Sequence, residues 1–169
     1  SLQCAVAPAL DAVRLDASRP SVNVDPYAEY LIDPSGRLTV DEAAGSAGGG
    51  FSHRPEPAAR KGEALWIRLR LQAAGSSASV PEPSWVLGVT PIFSLFLDGI
   101  VLYMPREGGG FDAIASGSGA PTRPGEPPSR DFLFALPPGA LDGRTLYLRL
   151  WGDSGAAAGL VVSSALELA

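Results

Sequence analysis

Cysteine, histidine and lysine occur once each in 169 residues, as Cys4, His53 and Lys61. A single cysteine cannot close an intrachain disulfide or assemble a thiolate cluster, and one histidine cannot build a multi-histidine zinc site. Long hydrophobic runs are missing too. The longest apolar-rich stretch, 85–104, is broken by Gly88, Pro91, Asp98 and Gly99, short of the ~18 uninterrupted residues of a membrane span. Charge is scarce at 18%, and 13 basic against 18 acidic residues leave a net −5. With no Lys/Arg run to neutralise phosphates, a nucleic-acid partner is not expected. The acidic residues lack the D-x-D-x-D-G spacing of a calcium loop, and no Lys-Ser/Thr follows Gly108-Gly109-Gly110 as a phosphate loop requires. No cofactor and no metal are expected.

What the chain does have is turn formers and apolar residues together. Its 20 Gly and 16 Pro sit in a sequence that is 46% hydrophobic. That is too apolar for disorder and too often interrupted for ordinary helices, so short strands joined by tight turns are expected. Residues 64–72 read A-L-W-I-R-L-R-L-Q. Leu65, Ile67, Leu69 and Leu71 share one face, and Trp66, Arg68, Arg70 and Gln72 the other. Residues 144–151 repeat the pattern, with Leu146, Leu148 and Leu150 opposite Tyr147, Arg149 and Trp151. Further strands are expected at 85–89, 95–104, 111–115, 131–136 and 160–168. Weaker alternation before residue 30 marks Leu10, Val13, Leu15, Val22 and Val24 as inward. Asp33-Pro34-Ser35-Gly36 predicts a turn, and Thr39 and Glu42 have the spacing of a capping box around one helical turn. The glycine triplet at 108–110 predicts a hairpin tip. The expected fold is all-β, an antiparallel jelly-roll β-sandwich of about eight strands with at most one or two short helical turns. It forms one domain, 10–169, after a tail, 1–9, whose Ser1-Leu2 reads as a cloning scar on a post-signal segment.

Gly152-Asp153-Ser154-Gly155 spells the nucleophile motif of chymotrypsin-like proteases, and His53, Asp98 and Ser154 follow that family's chain order. A serine nucleophile needs base, carboxylate and oxyanion hole in one geometry. Here the tetrapeptide runs into three alanines, and His53 lies in F-S-H-R-P. The motif is a turn leaving the preceding strand, and the domain is expected to be non-enzymatic.

The informative signal is the second face of the two long strands. A solvated face usually carries Lys, Glu, Thr and Ser, whereas this one carries Trp66, Arg68, Arg70, Tyr147, Arg149 and Trp151. Rings stack on planar or apolar surfaces, and guanidinium forks hold carboxylate or hydroxyl oxygens bidentately. The competing reading is structural: Trp66 anchors a core, and the arginines pair with Glu29, Glu63 or Asp131 under a covering loop.

Several blocks occur in order: Y-L-I-D-P-S-G-R-L-T-V-D-E-A (30–43), L-W-I-R-L-R-L (65–71), W-V-L-G-V (85–89) and L-D-G-I-V-L-Y (97–103). T-R-P (122–124), S-R-D-F-L-F-A-L (129–136) and T-L-Y-L-R-L-W (145–151) complete the series. From about residue 13 to 168 this order resembles the periplasmic sensor domain called 7TMR-DISM extracellular 2. The resemblance implies a jelly roll similar to carbohydrate-binding modules, exported to the periplasm. It would stand ahead of a seven-helix membrane region and a cytoplasmic histidine kinase or diguanylate cyclase. Positions matching that family's tryptophan and arginines are Trp66, Arg68, Arg123, Arg130 and Arg149. The expected function is extracytoplasmic sensing of a carbohydrate or a small carboxylate or amino-acid ligand within a membrane-embedded parent. Two alternatives stay open: a carbohydrate-binding module of a secreted glycosidase, and an assembly domain whose aromatic-arginine face contacts a partner subunit with no small ligand; a homodimer is also open.

Overall fold

The computed structural model describes residues 10–45, 50–53, 58–74, 84–92, 97–114, 117–118 and 132–164. Arg123, Arg130, Asp131, the tail 1–9, and the expected strand residues 95–96, 115 and 165–168 lie outside them.

The strands pair into two sheets. One runs β1 (Ala12–Leu15), β4 (Ala64–Ala73), β10 (Asp142–Trp151), β6 (Gly99–Pro105), β7 (Phe111–Ile114). In it β3 (Glu29–Asp33) also pairs with β4, on the edge that β1 uses further along. The other sheet runs β2 (Ser21–Asn23), β11 (Ala158–Ser164), β5 (Trp85–Pro91), β9 (Phe132–Leu136), β8 (Gly117–Ser118). The all-β sandwich expected from the sequence therefore forms, with eleven strands among the described residues. The weakly alternating stretch before residue 30 resolves into the short β1 and β2, and β3 and β8 were not expected as separate strands. Every pairing is antiparallel except β1 against β4, where Ala12 stands opposite Arg70. The strand expected to be under way by residue 97 begins only at Gly99.

Period-two alternation decides which side of each strand is dry. Leu65, Ile67, Leu69 and Leu71 from β4 and Leu146, Leu148 and Leu150 from β10 are all fully buried. They meet Leu87, Val89, Phe134, Leu160 and Val162 from the opposite sheet in one core. Val13, Leu15 and Val24 are buried there as the sequence indicates, while Val22 is only partly buried against it.

The turns also follow their residues. Asp33 Oδ1 accepts from the Ser35 amide and hydroxyl at 3.0 and 2.7 Å, Asp33 Oδ2 from the Leu38 amide at 2.9 Å, and Gly36 takes a φ of +65°. Thr39 and Glu42 close the capping box: the Glu42 amide donates to Thr39 Oγ1 at 3.2 Å, and Thr39 Oγ1 donates to Glu42 Oε1 at 3.0 Å. Behind it α1 (Val40–Gly45) makes a single short helix. Gly108, Gly109 and Gly110 all have positive φ at the tip between β6 and β7. The Gly152–Gly155 tetrapeptide closes a turn, with the Gly155 amide donating to the Gly152 carbonyl at 3.0 Å.

Candidate ligand-binding face

Strand register brings the residues of the second face together. Across β4 and β10, Trp66 stands opposite Arg149, Arg68 opposite Tyr147 and Arg70 opposite Thr145. On the far side of β10, Tyr147 faces Tyr103, Arg149 faces Val101 and Trp151 faces Gly99. Six side chains singled out by alternation thus line one side of one sheet. Two more, Arg123 and Arg130, lie outside the described residues.

This side is covered. Leu38, Val40, Ala43 and Ala44 from the turn and α1, together with Phe51, pack over Leu31, Trp66, Tyr103, Phe111 and Tyr147 as a second, smaller apolar cluster. Trp66 has no exposed surface and stacks on Tyr103 at 5.9 Å between centroids. Tyr147 is buried between the edges of Phe51 and Phe111, at 6.1 and 5.7 Å. Burial pushes its hydroxyl pKa up, and the positive charge of Arg68 acts against that rise. As placed, Trp66 and Tyr147 form the floor of the face, where the sequence pattern pointed to stacking surfaces.

The arginines divide along the sheet. Arg70 is clasped by backbone: its Nε donates to the Gly143 carbonyl at 2.6 Å and its Nη1 to the Leu10 carbonyl at 2.8 Å. In the centre, Arg68 Nη2 donates to Glu29 Oε2 at 3.0 Å beneath the Phe51 ring, 4.5 Å from its centroid. Of the carboxylates expected from the sequence, Glu29 is paired here and Glu63 instead accepts from the Arg60 amide; Asp131 lies outside the described residues. Arg149 reaches the cover, its Nη2 donating to the Gly36 carbonyl at 2.7 Å. Its guanidinium also lies 4.3 Å from the centroid of the partly buried Trp151 ring. The Trp151 indole lies across Gly99 so closely that any Cβ there would overlap it.

Three buried donors on this face have no acceptor among the described residues: Trp66 Nε1, Arg68 Nε and Arg149 Nε. Each unsatisfied buried donor costs about 1–3 kcal/mol, so three side by side is an unusual concentration. Sequence reasoning missed Tyr103, Phe51 and Phe111. Tyr103 alternates with Gly99 and Val101 and was accessible to the same argument. Phe51 sits in a Gly/Pro-rich segment with no period to place it.

Away from this face, Asp25 accepts the Leu160 amide at 2.9 Å and a hydrogen bond from Tyr30. Burial pushes the pKa of Asp25 up, against the pull of those bonds, and burial together with the Asp25 charge pushes the Tyr30 hydroxyl up. This cluster ties the first strands to β11. Among the described residues no three His, Cys, Asp or Glu side chains converge as metal ligands, and no helix is long and apolar enough to cross a membrane.

The fold is thus a two-sheet sandwich with a ring-and-guanidinium face under a short cover. The model of one family, 7TMR-DISM extracellular 2, matches residues 25–164, and the chain belongs to that family. These are extracellular or periplasmic domains of membrane receptors, which places this domain outside the cytoplasm as part of a membrane-bound parent. No curated protein matches the chain.

Proposed function

We propose that this domain binds a carbohydrate or a small carboxylate or amino-acid molecule on the covered face of the first sheet. Binding would bias a seven-helix membrane bundle between two states, and so the activity of a cytoplasmic histidine kinase or diguanylate cyclase. The observation that carries the reading is the register that sets Arg68, Arg149 and Trp151 beside a short cover anchored to the sheet partly by a ligand-type group, Arg149. A ligand competing for Arg149 would loosen Gly36 and with it α1. Trp151 and Arg149 then make the contacts, Arg68 adds to them once the cover moves, and Trp66 and Tyr147 shape the floor. Arg70 sits at the far end, and Arg123 and Arg130 join this proposal on the family resemblance alone.

A ligand found by thermal-shift screening of sugars and carboxylates is expected to lose at least about tenfold in affinity in Arg149→Ala. Unchanged affinity in calorimetric titration would remove this face from the function.

A second reading is favoured by a different observation. The outer side of the second sheet carries Ser21, Asn23, Val86, Gly88, Thr90, Leu133, Ala135 and Val161, with Val161 38% exposed and no charged residue among them. In a chain of net charge −5, two copies can meet there without like-charge repulsion, which favours a homodimer.

A further inference from the structure

The buried polar groups left unsatisfied on the covered face are all of one kind. Trp66 Nε1, Arg68 Nε and Arg149 Nε are donors, and no buried side-chain acceptor lacks a partner among the described residues. Trp66 and Arg149 are direct cross-strand partners, and Arg68 follows Trp66 on the same side of β4. The donors therefore sit within one ligand's width of each other. Charge leans the same way. Among the described residues Arg68 has Glu29 as its ion-pair partner, whereas Arg149 has only a backbone carbonyl and the Trp151 ring.

A sugar hydroxyl both donates and accepts, whereas the buried side-chain groups left open here only donate. A carboxylate only accepts, through two oxygens and several lone pairs, and it neutralises a guanidinium. From this imbalance we infer that the ligand of the face is a carboxylate anion. One oxygen is held by Arg149 Nε and the other by Trp66 Nε1, with the organic part against Trp151. The inference rests on the ligand-binding reading above and narrows it to one chemistry. It also explains why an acidic domain keeps half-buried a guanidinium with no carboxylate partner among the described residues, a placement that is costly unless an anion arrives.

Millimolar succinate and glutamate, with glucose and maltose as neutral counterparts, separate the cases when titrated calorimetrically into the 169-residue chain. The expected result is binding of a carboxylate but neither sugar, weakening as salt rises, and roughly 30-fold weaker in Arg149→Gln. Arg149→Lys keeps the charge without the fork and should fall between. If Arg149→Gln does not fold by circular dichroism, Trp66→Phe removes one donor while nearly keeping the ring, and should weaken binding several-fold. Sugar binding that depends on Arg149 overturns the anion while leaving the face as the sensor site. Carboxylate binding indifferent to both substitutions overturns the face itself. Heat from none of the four probes overturns the carboxylate.

Discussion

Trp151 and Gly99 are matched as a pair: the indole occupies the space that any side chain at 99 would need. Gly99→Ala must therefore displace the ring, and with it the guanidinium of Arg149 stacked on that ring. The expected loss is about 1–3 kcal/mol in denaturant unfolding, as for other overpacking changes, accompanied by an altered near-ultraviolet tryptophan signal. An unchanged unfolding midpoint would show that the ring is not fixed there. The glycine is in the sequence for anyone to read, but its reason is not. L-D-G-I-V-L-Y looks like a strand with a weak spot until Trp151 is known to lie across from it.

At the scale of one element, the cover is held by Asp33. Burial alone would raise its carboxyl pKa, but the amides of Leu38, Ser35 and Gly36 and the Ser35 hydroxyl outweigh burial and lower it. A lowered native value means that the stabilisation is fully present above the unfolded carboxylate value near about pH 4 and is lost as pH falls through the native one. Asp25, raised by burial, works in the opposite sense: its contribution is present below about pH 4 and fades as pH rises through its native value. Comparing Asp33→Asn with the parent isolates the first effect. The substitution should cost about 1–2 kcal/mol at neutral pH, and the difference should shrink toward about pH 3. A pH-independent gap in urea midpoints would assign the latch to another group. The latch was legible as an Asp-Pro-Ser-Gly turn followed by a capping box. What alternation does not show is that these elements fold back over a sheet, because packing between distant segments leaves no local period.

For the whole molecule, the two-sheet plan follows from strand-by-strand alternation, since each leucine row can face only one way. Which row is dry was readable; that the second row is also mostly covered was one of the two readings the sequence left open, with Trp66 as a core anchor and Glu29 as an arginine partner. Trp66 is as consistent with an exposed ring as with a buried one until Phe51 and Leu38 are placed over it. Parallel pairing of β1 escaped detection because a four-residue strand has too few alternations to reveal direction or partner. The uncharged outer side of the second sheet bears on assembly. If two copies meet there, Val161→Glu should convert a dimer into a monomer in light scattering while leaving unfolding within about 0.5 kcal/mol. A parent chain already monomeric at high concentration would end the homodimer reading.

Asp33 and Ala64 stand opposite each other as register partners of β3 and β4, so the chain leaves the sheet and returns to it at adjacent points. Everything between belongs to the loop of a hairpin, however far it reaches across the face. Because the two ends are already joined through strand pairing, freeing that loop costs only the isolated bridges Tyr30–Ser52 and Ala59–Ala156 and leaves the named strands paired, and the entropy of closing it grows only with the logarithm of its length. Evolution can therefore lengthen, shorten or rewrite this excursion while the sandwich beneath keeps its register. Relatives built on the same two sheets are free to differ most in what they enclose.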